Sequence, residues 1–188
     1  CFIFKQRFIP YLSPQYTMSS DAYFNFDPET GEWRNKATGY RFVMLGEPFY
    51  INMITNLTKQ FGSVAGVFIY QSGLGVGKEM GNLVLNAPDA LMGINMLFKN
   101  IFSASWGELK LENEDLDLLL SHKPDTILEK NGFYSYLGQR EGIEDLQPFI
   151  KGVITGMFNV LRRRENTCEM EIVSEEPLLC RYMVQPLS

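Results

Sequence analysis

The stretch Tyr70 to Gly81 reads YQSGLGVGKEMG, with four glycines and one lysine in twelve residues. Two phosphate cradles are spelled with similar letters, and both fail here. A P-loop needs Gly-x-x-x-x-Gly-Lys followed by Ser or Thr. Counting back from Gly77-Lys78, the first glycine would be at position 72, which is Ser72, and the residue after Lys78 is Glu79. A dinucleotide fingerprint starting at Gly73-Leu74-Gly75 needs its third glycine where Lys78 stands. The spacing instead fits a helix: Gly73, Gly77 and Gly81 lie at i, i+4 and i+8 and stack on one side. Each glycine costs a helix roughly 1 kcal/mol relative to alanine, so a gain in packing must offset it. Close approach of a second helix is such a gain. Gly152 and Gly156 are also four apart, in a strongly periodic segment near the C-terminus. The expectation is that these two helices pack backbone to backbone.

Reading outward from this stretch, Asp27-Pro28 and Thr30-Gly31 are turn signals amid alternating aromatics, which predicts short antiparallel strands and a hairpin before Leu45. Pro48 suits the first turn of a helix, EPFYINMITNLTKQF, with Phe49, Met53, Ile54, Leu57 and Phe61 on one side, and Gly62 fits a helix C-terminus. A second helix covers about 63–85, and a third about 88–102 with Leu91, Ile94, Leu97, Phe98 and Ile101. WGELKLENEDLDLLLSH alternates and reads as strands. KPDTILEKNGFYSYLGQREG reads as a long irregular connection. Residues 144–164 form the clearest amphipathic helix. TCEMEIVSEEPLLCRYMVQP reads as a strand, a turn over 174–177 and a second strand. There is no internal repeat or composition break. The economical fold class is one α+β domain over 1–188, with N-terminal strands over 1–45 and a core over 46–188, antiparallel strands packing against a bundle of helices.

The chain has 188 residues, of which 45% are hydrophobic and 13% aromatic, enough for a real core. A net charge of −5 argues against direct nucleic-acid binding. Arg162-Arg163-Arg164, the only tight basic run, is expected to be three solvated cations at the negative end of a helix. No apolar run is long enough to span a membrane, and the opening CFIFKQRFIPYL has no signal-peptide pattern. Three cysteines make no disulfide framework, so a cytoplasmic location is expected. Starting at Cys1 leaves room for an upstream output domain.

Four pieces, in order, carry a family resemblance: GYRFVMLGEPFY leading into a helix, the glycine-spaced IYQSGLGVGKEMG, SWGELKLENEDLDLLL, and IKGVITGMFNVL followed by a hairpin ending CRYMV. From about Tyr40 onward the chain resembles the 4-vinyl reductase domain family. That family shares its fold with the TRAPP transport-complex subunits and includes sensor domains of phenol- and xylene-responsive activators. The resemblance implies a commonly dimeric domain that binds small hydrophobic molecules or acts as a regulatory or assembly module, and few members are enzymes. Some members hold zinc near the C-terminal hairpin with Glu-x-x-Cys, a later cysteine and an upstream cysteine. Glu165 and Cys168 match the first, and Cys180 the second, but the upstream cysteine is missing. Three readings of the pair stay open: small apolar residues in the hairpin, a Cys168–Cys180 disulfide or redox switch, and zinc.

Chemistry is hard to place. His122 is the only histidine and adjoins no nucleophile motif. The carboxylates of ELKLENEDLD read as a solvated face. No catalytic residue, metal site or cofactor is assigned, and the chain is not read as an enzyme. What it offers is aromatic material for a pocket: Phe68, Tyr70, Phe98, Phe102, Trp106, Phe133, Tyr134 and Tyr136. With the resemblance, this points to a non-catalytic sensor domain for a small hydrophobic ligand, homodimeric by family analogy. The alternative is a protein–protein interaction or assembly module without a ligand.

Overall fold

A computed structural model describes residues 24–36, 39, 41–42, 47–99, 107–121, 123–136 and 147–187. The chain divides into two compact units, residues 1–45 and 46–188. In the first, β1 (Phe24–Asp27), β2 (Glu32–Asn35) and β3 (Arg41–Phe42) form an antiparallel sheet in that order. Asp27 shapes the β1–β2 turn, its carboxylate accepting from the Glu29 amide at 2.9 Å and the Thr30 hydroxyl at 2.8 Å. The positive φ of 71° at Gly31 completes it. Phe26 and Trp33 are cross-strand partners with ring centroids 4.9 Å apart.

The second unit opens with three helices, α1 (Glu47–Phe61), α2 (Val64–Leu85) and α3 (Ala90–Leu97). α2 and α5 (Gln147–Arg162) form the spine of the unit. Buried positions on α2 include Ala65, Ile69, Gly73, Gly77 and Gly81, one row at steps of four. A Cβ at Gly73, Gly77 or Gly81 would run into the backbone of Phe149, Val153 or Met157 respectively. From the other side, a Cβ at Gly152 or Gly156 would overlap the carbonyl oxygens of Tyr70 and Leu74. Partners ascend together along both helices, so the two run parallel with their backbones in contact. α5 is buried almost all round because α2 takes its glycine side while β6, β7 and α4 take the rest.

The sheet has the order β4-β5-β7-β6, antiparallel throughout: β4 (Glu108–Leu111), β5 (Asp125–Lys130), β7 (Leu178–Pro186) and β6 (Asn166–Glu175). Its strands alternate buried and less buried residues, and the buried set, including Leu109, Leu111, Ile127, Tyr182 and Val184, joins the core of α5 residues Ile150, Val153, Ile154, Met157 and Phe158. The mixed fold with antiparallel sheets and a helical layer is the one expected.

Three local expectations are corrected. The alternation after Trp106 does not continue as strands: β4 ends at Leu111, and α4 (Leu116–Leu120) follows. The Asp115 carboxylate caps α4, accepting from the amides of Asp117 at 2.8 Å and Leu118 at 3.2 Å, and Leu119 is buried one turn on. Residues 125–130, read as part of an irregular connection, are the inner strand β5; acids at the buried positions 125 and 129 disguise its alternation. Arg162 is not solvated. It is buried over the Phe158 ring, donates from Nε to the Leu119 carbonyl at 3.0 Å and lies 3.8 Å from the Asp125 carboxylate. Only Arg163, with φ 51° just past the helix end, is exposed as expected, while Arg164 donates to the Leu187 carbonyl at 2.6 Å.

Candidate functional site

The polar part of the site lies where β5 meets β7. Register pairs Glu129 with Cys180, Ile127 with Tyr182 and Asp125 with Val184, so residues 125, 127, 129, 180, 182 and 184 share the buried face. One carboxylate, Glu129, therefore stands in the core, fully shielded from solvent. Tyr182 donates to its Oε2 at 2.9 Å and Ser135 to the same oxygen at 2.6 Å, the two hydroxyls lying 3.3 Å apart. Oε1 has no hydrogen-bond partner among the described residues. Gly132 lies against this carboxyl so closely that a Cβ there would overlap it. Burial pushes the Glu129 carboxyl up from its ordinary range, and the hydrogen bonds from Ser135 and Tyr182 offset this in part. Burial likewise raises the Tyr182 phenol and the Cys180 thiol, with the Glu129 charge adding to both.

The helical turn over 133–136 that supplies Ser135 also supplies an aromatic cluster. Tyr134 stacks at 5.1 Å on Phe149 of α5 and meets Tyr50 of α1 edge-on at 5.8 Å. Phe133 meets Tyr50 at 5.4 Å and Tyr134 at 5.3 Å. Such edge and tilted contacts contribute about 0.5–1.5 kcal/mol each beyond area burial. Burial raises the Tyr134 phenol, and neighbouring Tyr50 raises it further.

No family model matches the chain, and no curated protein matches it. Solved structures do. The phenol-responsive sensory domain of the transcription activator PoxR, solved with phenol, superposes with a TM-score of 0.69 at 14% identity, over 88% of this chain and 86% of that one. The chain has the fold of that sensory domain. A vinyl-4-reductase family protein from Methanocaldococcus jannaschii superposes with a TM-score of 0.51 at 19% identity, over 78% of this chain and 85% of that one. An Fe(II) unliganded H-NOX protein from K. algicida does so at 0.52 and 8% identity, over 81% and 80%. At these identities the likeness is one of fold, the vinyl-4-reductase and TRAPP-like fold that the sequence resembles.

Within that fold the aromatic residues singled out in the sequence scatter. Phe133 and Tyr134 join the cluster described above. Phe98 is buried in the core, and Tyr70 is half-buried with its carbonyl against Gly152. Phe68 is 52% exposed on α2 and pairs with Phe61 at 5.7 Å, while Tyr136 is 47% exposed. Phe102, Trp106 and His122 lie outside the described residues. Tyr50, Phe149, Glu129, Ser135 and Tyr182 escaped the sequence reading. The signal for two of them was period-2 alternation: Glu129 is in phase with Ile127, and Tyr182 with Cys180 and Val184.

The disulfide reading of Cys168 and Cys180 is overturned. Cys168 pairs with Val184 and Cys180 with Ile172, and both thiols are free. Four residues of strand register separate them, about 13 Å at roughly 3.3 Å per residue, beyond any disulfide. Burial pushes the Cys168 thiol up to about 12. Both cysteines are buried, as small apolar residues of the hairpin are, and Glu165 is exposed. Among the described residues no three His, Cys, Asp or Glu side chains gather as metal ligands.

Proposed function

We propose that the chain, as one domain over 1–188 with its core in 46–188, is a non-catalytic sensor that binds a small hydrophobic molecule. The observation that carries this reading is the likeness over 88% of the chain to a sensory domain solved with phenol. The Tyr50, Phe133, Tyr134 and Phe149 cluster supports it: these aromatic side chains form an apolar wall of the kind small-molecule sites use. Phe102 and Trp106, named from the sequence, are proposed as further ligand-binding residues. No helix among the described residues is long and apolar enough to cross a membrane, and the proposed setting is cytoplasmic, coupled to an output domain.

The test is native mass spectrometry of gently purified protein against its denatured mass, followed by thermal shift with small aromatics. A bound species of a few hundred daltons or less, or a ligand-induced rise in melting temperature lost in Tyr134→Ala, is expected. A protein that carries nothing and is stabilised by no aromatic in the set refutes the sensor reading.

One surface feature bears on the homodimer proposed with the sensor reading. Phe61, Val64, Val67 and Phe68, around the α1–α2 junction, are each between 47% and 58% exposed, together a patch of apolar surface. The proposed occupant is a second copy of this chain, giving the homodimer. Val67→Asp is expected to convert a dimer to monomers in analytical ultracentrifugation. A wild-type monomer at micromolar concentration refutes the homodimer.

A further inference from the structure

We propose that β6 is a docking edge, to which an extended segment of another protein, with basic and apolar residues in alternation, adds as a fifth strand of the sheet. This inference stands on the sheet alone and is independent of the sensor reading.

A sheet edge presents a row of unpaired backbone N–H and C=O groups, and proteins blunt it with short edge strands, bulges or charge. The order β4-β5-β7-β6 leaves two edges. β4 is blunted by its length of four residues. β6 has ten residues and pairs with β7 from Asn166 to Glu175, and among the described residues no strand pairs with its other side. Its one bulge, the register shift between Ile172 and Ser174, takes Val173 out of the ladder and leaves 166–172 as a regular stretch. The charge on this edge is of one sign. Residues 165–176 include Glu165, Glu169, Glu171, Glu175 and Glu176, and no lysine or arginine.

The chemistry of the partner follows from the two faces of the strand. Cys168, Met170 and Ile172 pair with Val184, Tyr182 and Cys180, which places them on the inner face, while Glu169 and Glu171 lie on the outer face. Along the inner face Cys168 is buried, Met170 half-buried and Ile172 exposed, so the cover thins toward the bulge and leaves apolar surface at the edge. On the outer face Arg181 of β7 holds Glu171 at 2.7 Å, and among the described residues the Glu169 carboxylate has neither a hydrogen bond nor an ion pair. A second copy of β6 is a poor occupant, because an antiparallel pair centred on Met170 would set Glu169 against Glu171 twice. A strand with lysine or arginine at i and i+2 meets both glutamates, and its apolar residues at i+1 and i+3 lie beside Met170 and Ile172. Backbone pairing supplies the affinity of such an added strand, and the alternation supplies its selectivity.

The probe is a fluorescein-labelled peptide with blocked ends, Ser-Lys-Val-Lys-Val-Ser, titrated into the full chain and followed by fluorescence anisotropy. Two companion peptides carry glutamate in place of both lysines, or proline in place of both valines. Proline keeps the charge but removes the N–H groups that a ladder needs. The lysine peptide is expected to bind at least about tenfold more tightly than either companion and to slow amide hydrogen exchange over 166–172. Glu169→Lys, at an exposed side chain, is expected to weaken the lysine peptide about fivefold and to strengthen the glutamate peptide. No binding of the lysine peptide, equal binding of the proline companion, protection that falls outside 166–172, or an affinity unmoved by Glu169→Lys overturns the proposal. Protection of 166–172 that grows with protein concentration in the absence of peptide shows a second copy on the edge, and overturns it as well.

Discussion

Two alanine substitutions on the same helix should move stability in opposite directions. At Gly75 a Cβ would meet nothing within 4 Å, so Gly75→Ala gains only helix propensity, about 0.5–1 kcal/mol. At Gly77 a Cβ would sit 2.7 Å from the carbonyl carbon and 2.9 Å from the Cα of Val153, and would overlap the carbonyl oxygen between them. Carbon atoms rest about 3.5–4.0 Å apart, so α2 and α5 must separate by roughly 1 Å. No flexible side chain is there to give way. A gap of that size forfeits a quarter to a half of the dispersion well for the atoms along the seam, and overpacking of this kind costs about 1–3 kcal/mol or more. The seam is continuous through Gly73, Gly81, Gly152 and Gly156, which places Gly77→Ala toward the upper end, near 2–4 kcal/mol net of its propensity gain. For a chain of this size the melting point should fall by roughly 5–15 °C, against a rise of about 1–4 °C for Gly75→Ala. Thermal unfolding followed by circular dichroism at a helix wavelength reads the second unit, where the described helices lie. If Gly77→Ala melts at or above wild type, the backbone-to-backbone seam is wrong.

Other perturbations probe the remaining buried chemistry. Arg162→Ala should destabilise by about 3–5 kcal/mol in urea titration, since it strands Asp125 in the core and frees the α4 carbonyls of Leu118 and Leu119. Joint replacement, Arg162→Met with Asp125→Leu, should recover most of that loss, and failure to recover it would show that the carbonyl bonds matter more than the charge. Glu129 and Asp125 both have carboxyls raised by burial, so the folded chain keeps protons that the unfolded chain releases. Stability should therefore fall as pH rises above the ordinary carboxyl range of about 4 and level off above the raised values. Glu129→Gln should remove part of that slope in urea midpoints measured from pH 4 to 8; an unchanged slope would refute the assignment to Glu129. Asp115→Ala should cost about 1 kcal/mol through loss of the α4 cap, read as a lowered urea midpoint. Native alkylation at pH 8 should spare Cys168, whose thiol is pushed up to about 12 by burial, and rapid labelling there would contradict that burial.

What could be read in advance follows from how local each signal is. The four-residue glycine rows, the apolar stripe of α5, the turn at Asp27 and the hairpin near Pro177 depend on neighbours within a few positions, and all reappear in the structure. Failures gathered where burial contradicts residue type. β5 carries Asp125 and Glu129 on its inner face, so a strand central to the sheet looked like a polar connection. α4 hid in a run of alternating leucines and acids because its cap, Asp115, is one acid among several. Arg162 looked solvated because nothing local announces that Asp125, far away in sequence, waits for it.

The amino-acid sequence by itself determined the class of fold and the seam at its centre, since periodicity and glycine spacing are properties of the chain's own geometry. The candidate site was decided only by tertiary structure. Register across β5 and β7 and a helical turn over 133–136 bring Glu129, Ser135 and Tyr182 to one buried point from places up to 53 residues apart. α1 and α5 then bring Tyr50 and Phe149 to the rings of the same turn. Hydrogen bonding and desolvation depend on distance in space, which local sequence patterns do not encode.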